Sequence, residues 1–256
     1  MWENAIAHVA ALSVGDPVDP SLRVSLNFHP DRGRILSFLY RDGVYRSQFE
    51  TGTSNGGLGG ARHEWESRLF GGVYDEAPPA HRPKYGALNF RRKQAGGAPR
   101  FGSAHFRLNA ATLARTTFCY PDSVFEPVDF GTAERMSLVD LASADTKDAL
   151  DDYVEAHVHG PVGIGGDVEA LVLDPCYRGT EVEDLAHRLP CRVEWHRGFR
   201  LHVSDLDPGY RGPEIAALGH ALARNGFLDA RIVGEAVGSH DPQDLKRLWH
   251  CIARFG

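Results

Sequence analysis

Between Tyr153 and Gly160 the sequence alternates. Val154, Ala156 and Val158 fall on one side of an extended strand, and Tyr153, Glu155, His157 and His159 on the other. A carboxylate and two imidazoles in one row allow two chemistries. His157-x-His159 can converge on one metal ion, because alternate strand residues share a face. Alternatively Glu155 acts as a lone catalytic carboxylate and the histidines are secondary. A second candidate is Leu26-Asn27-Phe28-His29-Pro30-Asp31-Arg32, where His29 ends a strand and offers a ring nitrogen to a ligand hydroxyl. A third is Tyr45 to Gly57, in which Thr53, Ser54, Asn55 and Gly56 add short hydrogen-bonding groups and close backbone approach. This glycine segment is not a Walker loop, since no Gly-Lys-Ser/Thr follows. Arg82 to Asn89 sets cations beside Tyr85, which suits either a phosphate and base contact or a strand start with solvated ends.

The elements that position these residues can be read from periodicity. Asn4–Leu12 predicts a short helix, and Leu22–His29 a strand with Val24, Leu26 and Phe28 on its apolar face and Arg23, Ser25, Asn27 and His29 on its polar face. Val44–Thr51 reads as extended and Glu64–Phe70 as a helix. Tyr85–Phe90, Phe101–Leu108 and Arg115–Tyr120 read as strands, Met136–Leu150 as a helix, and Val168–Leu173 as a buried strand ended by Pro175. Thr180 with Glu183 matches a capping box. Arg192–His202 reads as extended. Pro213 opens a helix closed by Asn225-Gly226, and Asp241-Pro242 opens a last helix that buries Leu245, Leu248, Trp249 and Ile252. A weak linker candidate lies at Ser204–Gly212. Strands joined by short turns with helices at both ends form an α+β pattern.

Composition narrows the function classes. The chain has 256 residues with 42% hydrophobic and 24% charged residues, as in a folded globular protein. A net charge of −6 disfavours general nucleic-acid binding. No apolar run reaches the roughly 20 residues of a membrane helix. The N-terminus lacks a signal-peptide pattern, so the expected location is a bacterial cytoplasm or delivery from one cell into another. Cys119, Cys176, Cys191 and Cys251 form no CxxC pair and are expected as reduced, mostly buried thiols.

The order of these features resembles the three-part signature of the ADP-ribosyltransferase superfamily: a strand-end His or Arg, a Ser/Thr strand and loop, then a late strand carrying Glu. Phe28-His29-Pro30 resembles the first part, Phe49 to Asn55 the second, and Glu155 to Gly160 the third. The strings Asn27–Arg32, Tyr45–Gly57, Arg82–Asn89, Pro99–Ser103, Arg115–Ser123 and Glu155–Gly160 are similar to a bacterial family catalogued as an uncharacterised domain and associated with effector-type mono-ADP-ribosyltransferases. The resemblance implies two packed, mainly antiparallel sheets with flanking helices, a catalytic core over 1–203 and a helical extension over 204–256 on the same domain. It implies transfer of ADP-ribose from NAD, consumed as substrate, to a side chain of a target protein, with no metal, membrane or nucleic-acid partner.

In that scheme Glu155, Ser54 and His29 are catalytic, and His29, Arg32, Thr53, Ser54, Asn55, Gly56 and Tyr85 hold NAD. Arg23 is the rival for the first part, and Thr51 and Thr53 for the second. Arginine-modifying members commonly carry Glu or Gln two residues before the catalytic Glu, where this chain has Tyr153. Two other classes stay open: a metal-dependent hydrolase using His157, His159 and His29, and a non-catalytic NAD-binding module.

Overall fold

The computed structural model describes residues 1–32, 35–52 and 60–256. The first periodic stretch folds as α1 (Trp2–Leu12), burying Ala5 and Val9. β1 (Val24–Phe28), α2 (Ile35–Asp42), β2 (Val44–Tyr45), α3 (Gln48–Thr51) and α4 (Ala61–Leu69) follow. Next come β3 (Lys84–Leu88), β4 (Ala104–Leu108), β5 (Thr116–Tyr120), β6 (Asp129–Thr132) and α5 (Leu138–Ala144). β7 (Val154–Val158), β8 (Val162–Gly163), α6 (Ile164–Asp167) and β9 (Val168–Leu173) complete the middle of the chain. After α7 (Glu181–Ala186), β10 (Arg192–Trp195) and β11 (Leu201–His202), helices dominate. These are α8 (Pro208–Arg211), α9 (Pro213–Leu222), α10 (Ala230–Glu235) and α11 (Pro242–Phe255), with β12 (Phe227–Leu228) ahead of α10.

The class is α+β. Eight strands form one sheet in the order β10-β9-β4-β1-β3-β7-β5-β6, and β11-β12 and β2-β8 form separate two-stranded ribbons. Every pairing in the large sheet is antiparallel except β9 with β10. The expected division into two packed sheets is therefore corrected: among the described residues the long strands lie edge to edge in one sheet. Val24, Leu26, Phe28, Leu88, Phe106, Phe118, Val154 and Ala156 form its apolar face, and Leu36 of α2, Leu138 of α5 and Ala186 of α7 join the same core. Between 204 and 212, where a linker was expected, the chain forms a 3-10 turn and α8. The C-terminal helices build a second core that also takes in Tyr177, Phe199 and Trp249.

The polar faces of two strands are covered. The polar side of β1 lies under the 95–102 segment, where Gly97 N–H donates to Ser25 Oγ at 2.7 Å and Asn27 Nδ2 donates to the Ala95 carbonyl at 2.8 Å. This approach needs glycine at Gly102, because a Cβ there would stand 2.0 Å from the Phe28 carbonyl carbon. Every residue of β7 is buried on both faces. The segment read as extended up to Thr51 turns helical after β2. Ser47 and Glu50 form a reciprocal capping box there, with Glu50 Oε2 accepting from Ser47 N–H at 2.7 Å. At α7 the expected box does not close: Thr180 Oγ1 donates to the Tyr177 carbonyl, and Glu183 Oε2 accepts from Gly179 N–H.

Candidate functional site

Sheet register sets the candidate site. β7 pairs with β3 on one side and β5 on the other, placing Ala87 and Cys119 opposite Glu155, and Tyr85 and Thr117 opposite His157. Directly opposed strand residues project to one face. Glu155, His157, Tyr85, Thr117 and Cys119 therefore share a face. α4 and the turn after it cover part of it, with the Phe70 ring edge-on to both His157 and His159 at 5.2 and 5.3 Å.

The polar groups form a chain. His157 Nε2 meets Glu155 Oε1 at 2.9 Å, and Thr117 Oγ1 meets His157 Nδ1 at 3.3 Å and His159 Nε2 at 2.9 Å. Tyr74 Oη lies 2.7 Å from His159 Nδ1. Glu155 also accepts from Ser123 N–H at 3.3 Å. Its side chain retains 9% exposure, against 1% for His157. Glu155 is thus the member of the row that still reaches the surface. Burial pushes its carboxyl up, but the His157 hydrogen bond and charge, together with Ser123 N–H, outweigh burial and hold it below the ordinary carboxylate range. The result is an ionised carboxylate with a fixed orientation.

This geometry bears on the expected histidine metal pair. Both nitrogens of each ring are engaged by protein groups, and burial, then His157 and Arg115, push His159 well below its ordinary value. Cys119 Sγ, Glu155 and His157 do offer ligand atoms within 4.8 Å of one another. Burial, followed by the Glu155 and Asp122 charges, raises the Cys119 thiol well above its ordinary value, so it is held as SH. A metal ligand would be the thiolate, so a metal bound here would have to displace that proton.

Beside this row lies a second buried carboxylate that sequence reading missed. Glu66 of α4 and Arg82 are both fully buried and ion-paired at 2.8 Å. Tyr85 donates its hydroxyl to Glu66 Oε1 at 3.2 Å, and its ring meets His157 edge-on at 5.1 Å. The Arg62 guanidinium lies 4.2 Å over the Tyr85 ring and acts electrostatically on Glu155. Tyr85 therefore joins the two carboxylate environments. The solvated ends offered as one alternative for this segment are buried instead: Arg82 is fully enclosed, and Lys84 donates to the Ala80 and Arg82 carbonyls.

Burial raises the Glu66 carboxyl from 4.5 to about 7, against the opposing pull of Arg82. The folded chain thus binds this proton more tightly than the unfolded chain. Its contribution to stability is full below pH 4.5 and is lost as pH rises through about 7, a linkage of about 3 kcal/mol. Denaturant titrations from pH 4.5 to 8 should show this decline in the parent chain and its absence in Glu66→Gln. Equal slopes in both chains would contradict it.

The remaining sequence candidates divide. Thr53, Ser54, Asn55 and Gly56 lie outside the described residues. Of their neighbours, Thr51 ends α3, and Arg62 begins α4 next to Tyr85. His29 is not brought to Glu155. Its ring stands edge-on to Trp249 at 4.9 Å, and its register position is four residues along and two strands across, about 16 Å from that of Glu155. Burial, then Arg32 and His250, push His29 well below its ordinary value. Arg32 is likewise outside the Glu155 row, near Asp31 and Tyr177. The rival Arg23 is ion-paired to Glu169 at 2.7 Å. Tyr153 donates its hydroxyl to Asp122, and both groups lie close enough to Glu155 to interact with its charge.

A family model described as "Protein of unknown function (DUF3626)" matches residues 23–143 and 134–255. Among curated proteins nothing matches. No helix among the described residues is long and apolar enough to cross a membrane.

Proposed function

The chain belongs to the DUF3626 family, and from that premise we propose that it is a mono-ADP-ribosyltransferase that moves ADP-ribose from NAD to a protein side chain. The observation that carries this reading is Glu155: a carboxylate on a central strand, kept ionised by His157 and Ser123 N–H, with its remaining exposure at one edge. Breaking the bond between nicotinamide and ribose develops positive charge on the sugar. A pre-oriented carboxylate facing that charge stabilises the transition state more than the ground state. His157 fixes the carboxylate, and Thr117 and His159 fix His157 in turn. Tyr85 and Arg62 offer a ring and a cation beside it, suited to the nicotinamide end of the substrate and its phosphates.

In this scheme His29 is not a partner of Glu155. The acceptor is a side chain of a target protein, and arginine is one candidate.

Calorimetry with NAD, followed by nicotinamide release, tests the reading. Binding with turnover supports it, and binding without turnover makes the protein an NAD-binding module. Absence of both contradicts it. The metal-dependent hydrolase reading, built on His157 and His159, instead predicts bound metal and loss of activity with a chelator; the transferase is insensitive to chelation.

A further inference from the structure

Next to Trp249 on α11 and on the elements packed against it, buried polar groups gather without partners. His250 is 5% exposed, and neither of its ring nitrogens has a hydrogen-bond partner among the described residues. Lys246, His250 and Arg254 recur at every fourth position of α11 and so lie on one stripe. α8 and the turn Pro99–Phe101 both pack on α11, and Arg211 and Arg100 from them act electrostatically on His250. α8 supplies Arg211 and the turn supplies Arg100, and the Nε of each is buried and unpartnered.

Two carboxylates are present, and both are already taken. Asp151 pairs with Arg100, and Asp148 accepts from Arg254 Nε at 3.0 Å and Tyr210 Oη at 3.1 Å. Arg211 and Lys246 form no ion pair among the described residues. Burial and the charges of Arg100, Arg211 and Lys246 push His250 down to about 3, which reports cations converging on it from three elements.

We propose that α11, α8 and the Pro99–Phe101 turn form a binding site for a phosphate group of a small phosphate ester, with His250 at its floor and Arg100, Arg211 and Lys246 around it. Guanidinium and ammonium donors gathered from three elements match the three oxygens of a phosphate, and two cations without an ion-pair partner among the described residues match its double negative charge. Arg100 and Arg211 each hold an Nε–H that has no partner among the described residues. The site is independent of the reading at Glu155.

The test is titration of the full-length chain with inorganic phosphate and with pyrophosphate, read by the ring resonances of His250 and by calorimetry. Saturable shifts of the His250 resonances at millimolar phosphate or below are expected. Pyrophosphate binding more tightly would favour a diphosphate ester, and equal affinities a monoester. Lys246→Gln, at an exposed position, should weaken binding about tenfold by removing one charge-assisted hydrogen bond. Unmoved His250 resonances in the parent chain, or affinity unchanged in Lys246→Gln, would overturn the site.

Discussion

Glu155→Gln should leave the fold intact and lower nicotinamide release by on the order of 10²–10³. The substitution keeps the shape of a side chain that is almost wholly enclosed and removes only its charge. A Gln oxygen still accepts from His157 and Ser123, so the strand and its neighbours have no reason to move. What is lost is the fixed negative charge beside a sugar that becomes cationic as nicotinamide leaves. Because that charge acts in the transition state, the fall should appear in kcat, with NAD affinity changed far less. Steady-state kinetics with thermal melts of both chains separate this from unfolding. A variant that melts like the parent and turns over at the parental rate would remove Glu155 from the chemistry.

Arg82→Met should cost about 3–5 kcal/mol of folding stability. Arg82 and Glu66 meet at 2.8 Å with neither side chain reaching solvent. Removing the guanidinium strands a carboxylate that burial already pushes toward neutrality. The penalty should therefore be largest at alkaline pH and relax on acidification, when Glu66 takes up its proton. Adding Glu66→Met to the first change should restore much of the loss, since two apolar side chains of similar volume do not leave a lone buried charge. The hydroxyl of Tyr85 loses its acceptor in that double variant and keeps the recovery incomplete. Denaturant unfolding of the four chains at two pH values measures the coupling directly. Additive losses, with the double variant the weakest, would contradict it.

Much of the scaffold could be read from local chemistry. The last helix was legible because Asp241 and Pro242 mark its start, and Asp241 does accept from Gln243 and Asp244 N–H. β9 was legible because six mostly apolar residues end at Asp174-Pro175. β7 was legible as a strand, but its polar side could be read as solvent-facing when it is in fact covered by Phe70 and Tyr74. α3 was misread although Ser47 and Glu50 carried the capping signal, because β-forming residues at Val44–Tyr45 precede it.

β6 and α10 were not picked out. β6 is four residues long with a glycine at its third position, and α10 is a six-residue helix with Gly234 inside it, so neither runs long enough for its apolar pattern to stand out. Burial of Glu66 and Arg82 left no mark on the sequence. Each is a charged residue of a type usually exposed, and only the meeting of α4 with the start of β3 encloses them. The separation of His29 from Glu155 is a matter of strand order, because β3 intervenes between β1 and β7. Spacing along the chain carries no record of that order.

The most direct measurement is mass spectrometry of proteins from a cell lysate incubated with the purified chain and NAD, beside an identical reaction with Glu155→Gln. The account expects ADP-ribose adducts on a defined side-chain type with the parent chain and their near-absence with the variant. No adduct and no free nicotinamide across a range of lysates, or equal adducts in both reactions, would contradict it.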